Sequence, residues 1–110
     1  MRVTLALIAA ALILAGCGNS FDRARWAKGQ GDYCGADNPR PAMITAAEQA
    51  GLRSGAPRET VRNLLGAPDA HTAQADTYWL GAEPMGADCH HMVIDYDANG
   101  AVATITFVQG

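Results

Sequence analysis

Cys89 stands directly before two histidines in the stretch GADCHHMVIDYD, residues 86–97. Thiolate and imidazole are the ligands that zinc prefers in proteins. A thiol close to an imidazole is also the basis of a nucleophile–base pair, provided that the two groups touch in space. The third use of such a cysteine is a disulfide. Because disulfides form in oxidising compartments, the choice depends first on where the chain folds.

The start of the chain predicts export. An apolar run from Val3 to Ala15 has the length of a signal-peptide core, whereas a membrane span needs roughly 20 residues. The run ends in LAGC, which resembles the bacterial lipoprotein box, in which the cysteine is diacylated and becomes the new N-terminus. We predict a signal peptide over residues 1–16 and a lipid anchor on Cys17. A plain secretory signal with a coincidental cysteine is the alternative.

The lipid would hold the protein permanently at a membrane, because two acyl chains anchor stably where one does not. In lipoproteins of this class an aspartate after the acylated cysteine commonly signals retention in the inner membrane. Here that position is Gly18. We therefore expect the periplasmic face of the outer membrane.

Export gives Cys89 a predicted partner. With Cys17 acylated, Cys34 and Cys89 are the remaining pair, and an even pair in an oxidising space predicts a disulfide. A loop of this size would stabilise the fold by about 4 kcal/mol.

A metal site is the alternative use of the cluster. Adjacent strand residues point to opposite faces, so His90 and His91 do not reach one metal in regular geometry. Such a site would draw on other residues brought near by folding: His71, Glu83, Asp88 or a free Cys89. A catalytic thiol is disfavoured, because neighbours in sequence are not a nucleophile–base pair. We expect no enzyme activity, no cofactor and no small-molecule substrate.

Charge is unevenly distributed. Residues 17–62 carry seven Lys/Arg and five Asp/Glu, whereas residues 63–110 carry six Asp/Glu and no Lys or Arg. The acidic second half argues against nucleic-acid binding. Arg23, Arg25 and Lys28 could rest on anionic lipid head groups, or simply be solvated.

The patterns after the leader predict a tether and one α+β domain. Residues 17–42 contain scattered Gly and Pro without a sustained period, and we expect a lipidated tether and loop. Trp26 and Tyr33 could contact lipid or fold back on the domain. We predict the domain over residues 43–110. PAMITAAEQAGL, residues 41–52, favours a first helix, and Val61, Leu64 and Leu65 share one face of a second.

Three strands follow the helices. DTYWLG and CHHMVIDYD are rich in strand formers, and DANG predicts a tight turn before AVATITFVQ. Met92, Ile94 and Tyr96 should share a face, and Ala103, Ile105 and Phe107 should alternate with Val102, Thr104 and Thr106. Asp97 is assigned to the turn, which leaves Asp95 without a paired-carboxylate role. We predict two short helices packed on a three-stranded antiparallel sheet (ααβββ).

The order of these motifs resembles the SmpA/OmlA/BamE-type outer-membrane lipoprotein domain. The resemblance is carried by GAPRETVRNLLGAPD, YWLG and MVIDYDANGAVATITF, over roughly residues 51–108. It implies two helices on a three-stranded sheet and an accessory role in assembling outer-membrane proteins. The family usually has Ser or Thr where Pro57 precedes the second helix, and Cys34, Cys89 and the two histidines lie outside its core pattern.

Adjacent aromatic residues are the candidate contact site. Tyr78 and Trp79 should point to opposite faces of the sheet, so one of them faces away from the helices. Exposed Trp and Tyr are typical of protein–protein contacts. We therefore expect a lipid-anchored, partner-binding module of the bacterial envelope, contacting its partner around Tyr78 or Trp79 and the 81–88 loop. Periplasmic metal capture, or inhibition of a periplasmic enzyme, are the alternatives.

Overall fold

A computed structural model describes residues 20–82 and 88–110. The predicted signal peptide, Cys17, Gly18 and Glu83 lie outside these residues. The described helices are α1 (Arg23–Ala27), α2 (Ile44–Ala50) and α3 (Arg58–Leu65), with a 3-10 turn (Arg40–Met43) before α2. The strands are β1 (Ala70–His71), β2 (Ala75–Ala82), β3 (Cys89–Tyr96) and β4 (Val102–Gln109). None of the helices in this part of the chain is long and apolar enough to cross a membrane.

The four strands form one antiparallel sheet in the order β1-β2-β3-β4. The α+β class is confirmed, but the predicted count of three strands is wrong. The additional strand, β1, pairs Ala70 with Thr77 and His71 with Asp76. It has two residues, too few to show the period-two alternation by which strands are recognised in a sequence.

Glycines end the two longer helices, as their positions suggest. Gly51 follows α2 with φ 132° and Gly66 follows α3 with φ 83°, values that glycine adopts without a steric penalty. Pro57 occupies the N-cap of α3, and no side chain caps that helix end. The apolar face of α3 is buried through Val61 and Leu65.

The hairpin between β3 and β4 forms at the predicted turn. The Gly100 N–H donates to the Asp97 carbonyl at 2.9 Å, and Gly100 has φ 79°. On β3, Met92, Ile94 and Tyr96 all lie in the core, which confirms their predicted common face.

The alternation predicted for β4 is wrong at its start. Asp95 pairs with Thr104 and Tyr96 with Val102, so the register shifts and Ala103 is the extra residue of a bulge. The bulge turns Val102 into the core, on the same side as Ile105 and Phe107. A single inserted residue of this kind leaves no mark in a short apolar pattern.

The segment before α2 packs into the same core. Trp26 is 1% exposed, and its ring lies 5.5 Å from Phe21 and 6.2 Å from Tyr78. Trp26 therefore folds back on the sheet and helices. Arg40 is also buried, and its guanidinium lies 4.9 Å from the Trp26 ring.

A buried ion pair fastens this segment to the sheet. Arg40 Nη1 donates to Asp69 Oδ2 at 2.8 Å and to the Trp79 carbonyl at 3.0 Å, while Arg40 Nε donates to the Trp26 carbonyl. Asp69 also accepts the Trp79 N–H at 2.9 Å and the Gly31 N–H at 2.7 Å. Because each buried charge is bonded on several sides, the desolvation cost of the pair is offset.

A second buried cluster joins α3 to the sheet. Asp76 accepts hydrogen bonds from Arg58, Arg62 and the Tyr96 hydroxyl. Burial alone would raise the pKa of Asp76, but the hydrogen bonds from Arg62, Arg58 and Tyr96 outweigh it and lower that pKa to about 2. Burial and the bond to Asp76 raise the pKa of Tyr96, and the same carboxylate raises the pKa of Arg62. Asp76 is therefore a structural anion that holds α3 on β2.

Candidate functional site on the uncovered face of the sheet

The sheet has one face under the helices and one face without them. Tyr78, Met92 and Ile94 point to the helices and are fully buried. Side chains one position away point to the other side, which we call the open face. Since the described helices pack on the first side only, the open face is where a partner could reach the sheet.

A row of large side chains crosses the open face. Trp79 on β2 pairs with His91 on β3, which in turn pairs with Val108 on β4. Trp79 and His91 are half-buried, and Val108 is 40% exposed. Directly paired side chains lie close enough to touch, so the row is continuous.

Tyr33 covers one end of this row. Its ring lies edge-on to Trp79 at 5.2 Å between centroids, and 4.8 Å from the His91 ring. It is itself 45% exposed. Aromatic contacts of this kind stabilise the arrangement beyond simple burial. The result is a cluster of four side chains, which we call the aromatic row: Tyr33, Trp79, His91 and Val108.

The disulfide positions Tyr33. Cys34 and Cys89 are bonded, with their Cα atoms 4.9 Å apart, which confirms the predicted pairing. Cys89 begins β3 and Cys34 follows Tyr33, so the bond holds the Tyr33 loop against the start of that strand.

A close backbone contact supports the same loop. The Ala82 N–H donates to the Gly35 carbonyl at 3.0 Å. Gly81, with φ 79°, lies where a Cβ would meet the Gly35 carbonyl and the Asn38 side chain. Only glycine fits both the backbone conformation and the space. The loop is therefore attached by a covalent bond, a hydrogen bond and a contact that excludes side chains.

Tyr78 and Trp79, the predicted contact residues, point to opposite faces of the sheet, as adjacent strand residues must. Tyr78 is fully buried on the helix side, where its hydroxyl donates to the Gly66 carbonyl at 2.8 Å. Burial raises the pKa of Tyr78. Trp79 lies on the open face. Tyr78 is thus a core residue, and Trp79 is the member of the pair that a partner could reach.

The second row of the open face carries smaller side chains, with a valine between two threonines. Thr77 pairs with Val93, and Val93 with Thr106. Thr106 is exposed. Beside it, the Thr104 hydroxyl donates to Asp95 Oδ2 at 3.3 Å. The open face therefore combines a row of large, mostly aromatic side chains with a margin of threonines and Asp95, which is the composition of a protein–protein contact with a polar rim.

The residues of the alternative metal site are dispersed. His71 is exposed on β1 and Asp88 is exposed before β3. Cys89 is committed to the disulfide. His90 and His91 are consecutive on β3, so they occupy opposite faces as predicted. Within residues 20–82 and 88–110, no three His, Cys, Asp or Glu side chains are grouped as metal ligands would be. Metal capture stays a prediction without support from this geometry.

Asp95 and Asp97, the two carboxylates near the β3–β4 turn, make hydrogen bonds to residues close by. Asp97 Oδ1 accepts the N–H groups of Asn99 and Ala101 at 2.9 and 3.0 Å, inside the hairpin turn. That is the turn role assigned to it from the sequence. Asp95, on the open face, bonds to Thr104.

Of the aromatic row, the sequence placed only Trp79 in the contact site. For Tyr33 it left two possibilities open, contact with lipid or folding back on the domain, and the neighbouring disulfide cysteine was the signal for the second. His91 was considered only as a metal ligand. Val108 follows from the β3–β4 register. That register depends on the bulge at Ala103, which the sequence pattern does not reveal.

Comparison of the chain with family models, with curated proteins and with solved structures gives no match.

Proposed function

We propose that this protein is a lipid-anchored binding module of the bacterial envelope, which holds another envelope protein on the open face of its sheet. The observation that supports this most directly is the aromatic row. The row combines a half-exposed Tyr and Val with Trp and His, and it lies on a face that the described helices leave free. Tyr and Trp are among the residues that contribute most to binding energy in protein–protein interfaces.

The anchor and the disulfide support the location. The lipoprotein-like LAGC motif ends at Cys17, and a second acyl chain makes membrane attachment stable. The Cys34–Cys89 bond fits a chain that folds outside the reducing cytoplasm. The partner would then be periplasmic or membrane-attached. A role in outer-membrane protein assembly rests on the resemblance to the SmpA/OmlA/BamE-type domain.

An affinity experiment with matched variants tests the proposal. Thr106 lies on the open face and Asn63 on α3, and both are exposed polar residues. The lipidated protein should co-purify with a discrete envelope protein, Thr106→Lys should lose it, and Asn63→Lys should keep it. The added charge is the same in both variants, so only its position differs.

Two results would count against the proposal. One is that wild-type protein recovers no envelope protein above the level of an untagged control. The other is that Thr106→Lys and Asn63→Lys retain the partner equally. In the second case binding is real, but it does not use the open face.

A further inference from the structure

The two edges of the sheet are treated differently by the rest of the chain. On the outer side of β2, beyond the short β1, the Trp79 N–H and carbonyl bond to Asp69 and Arg40. The Ala82 N–H bonds to Gly35. This edge is thus covered by β1, by Asp69 just before it, and by the segment before α2.

Among the residues that the structure describes, the opposite edge, on β4, is covered only at its start. The Val102 N–H donates to the Ala56 carbonyl and the Val102 carbonyl accepts the Gly55 N–H, both at 2.8 Å. The same short stretch makes an antiparallel bridge from Pro57 to Ala101. The chain therefore already uses this edge for strand pairing over one or two residues, and then turns away into α3.

The rest of the β4 edge is open among the described residues. The Gly110 N–H donates to the Cys89 carbonyl, so by the alternation of an antiparallel ladder Thr104, Thr106 and Val108 also bond towards β3. The N–H and carbonyl groups of Ile105, Phe107 and Gln109 then point away from the sheet. No described segment bonds to them.

Nothing in the sequence of β4 blocks another strand. Its eight residues, VATITFVQ, contain no charge and no proline. Edge strands of soluble proteins usually carry such residues, or bulges, because an open apolar edge pairs readily with other chains. The bulge of β4 lies at Ala103, before the open part.

An apolar groove adjoins the open edge on the helix side. It has a volume of about 390 Å³, and its described lining includes Pro41, Ile44, Leu80 and Phe107 together with the polar Asn38 and His90. Phe107 is 51% exposed and lies on the last strand, so the groove reaches the edge. A strand added there would direct every second side chain to the helix side, next to Phe107.

The charge of residues 63–110 indicates what kind of segment would bind the open edge of β4. Residues 63–110 carry six acidic residues and no Lys or Arg. Two of these, Asp69 and Asp76, are paired with arginines, whereas Asp88 and Asp95 are exposed and lie at opposite ends of the β3–β4 pairing. An antiparallel pair of two β4 strands would bring Asp95 of one copy towards Asp88 of the other, whereas a basic segment would be attracted.

We propose that the open edge of β4 binds an extended segment of another protein by strand addition. The segment places an aliphatic side chain in the groove beside Phe107 and Lys or Arg on the other face. Main-chain hydrogen bonds supply affinity in this mode, and the groove supplies selectivity. The site goes beyond the proposed function, because it uses the sheet edge and helix side and not the aromatic row.

The test uses a defined peptide, acetyl-Lys-Val-Lys-Leu-Lys-Val-Lys-amide, added to the purified oxidised protein. Amide hydrogen exchange, followed by NMR, is the first readout. The peptide should slow the exchange of Ile105, Phe107 and Gln109, whose N–H groups point outwards, about tenfold or more at saturation. The exchange of Thr104 and Val108, already bonded towards β3, should change little.

Paired variants then locate the contact. Phe107→Ala, at the groove, should weaken the dissociation constant about tenfold, or about 1.4 kcal/mol, while Val108→Ala, on the open face, should leave it within about twofold. Circular dichroism confirms that both are folded. Phe107→Leu, which retains an apolar wall, should bind better than Phe107→Ala.

Each contrary result overturns the proposal. A peptide that protects none of the three outward amides refutes the edge site. Equal binding of the same peptide with Glu in place of Lys refutes the basic occupant. Protection of those amides that rises with protein concentration and without peptide would show that a second copy is the occupant. Loss of binding in Val108→Ala alone would move the contact to the open face.

Discussion

Replacing Asp76 by Asn should destabilise the protein by about 3 kcal/mol, because it removes the charge at the centre of a buried cluster. The Asp76 side chain is fully buried and accepts five hydrogen bonds. The shortest two, from Arg58 Nη2 and Arg62 Nη2, are 2.7 Å. An isosteric amide keeps the shape, but it turns one acceptor into a donor that faces donors.

The size of this destabilisation depends on which interactions Arg58 and Arg62 can make once the carboxylate is gone. Breaking a buried ion pair by removing one partner typically costs about 3–5 kcal/mol. Arg58 would still donate to the Ala73 and Thr72 carbonyls, at 2.6 and 2.9 Å. The Arg62 side chain is 38% exposed and can turn to water. Both facts place the expected cost at the lower end of that range.

The acid profile gives an independent measure of the same carboxylate. The pKa of Asp76 lies at about 2 in the folded protein, against an ordinary 3.8. Because the folded pKa is the lower one, the stability from this group is complete above about pH 4. It is lost as pH falls towards 2. A shift of this size corresponds to about 2 kcal/mol, and Asp76→Asn should lack this part of the acid destabilisation.

Urea denaturation measures the cost of the substitution at pH 7 and the loss of stability in acid. It is carried out on wild type, Asp76→Asn and the control Asp95→Asn, at pH 7 and at intervals down to pH 2. Asp95 is exposed and makes one hydrogen bond, to Thr104 at 3.3 Å. Its variant should cost less than about 0.5 kcal/mol. If Asp76→Asn costs no more than Asp95→Asn at pH 7, or if its acid profile parallels that of wild type, Asp76 is not the anion that holds α3 on the sheet.

Three further changes probe how the elements are held. Cys34→Ser opens the disulfide, and should lower the free energy of unfolding by about 4 kcal/mol, or less if the unfolded chain stays compact; equal melting temperatures under oxidising and reducing conditions would contradict this. Trp26→Ala should cost about 3–5 kcal/mol by emptying a core site, and an effect below 1 kcal/mol in chemical denaturation would show that the segment before α2 is dispensable. Gly81→Ala should cost about 1–3 kcal/mol more than Gly55→Ala, because its Cβ would be forced against neighbouring atoms. Both positions have positive φ, but only at Gly81 does a Cβ meet other atoms, so equal costs would argue against close packing at Gly81.

The sequence was informative where one pattern had one physical cause. The β3 alternation placed Met92, Ile94 and Tyr96 together, and the turn residues located the hairpin at Asp97–Gly100. The disulfide followed from the number of cysteines and the predicted compartment. The alternation and the turn depend only on residues close together in the sequence. The disulfide depends on a count of cysteines that leaves one possible pair.

Other features depend on contacts between distant segments. Arg40 and Asp69 are 29 residues apart, and nothing near either one indicates that they form a buried pair. The core role of Trp26 likewise needs the whole segment before α2 to fold back. The pattern of that segment predicted a lipidated tether and loop and left the position of Trp26 open, because Gly and Pro break the periodicity even though single side chains still pack.

Site-specific photo-crosslinking in intact cells can show whether the open face contacts an envelope protein. A photoreactive amino acid is placed at Thr106 on the open face and, as the matched control, at Asn63 on α3. One discrete crosslinked band, containing a protein of the bacterial envelope, is expected from Thr106 and none from Asn63. No crosslink from Thr106, or the same band from Thr106 and Asn63, would contradict the proposed contact.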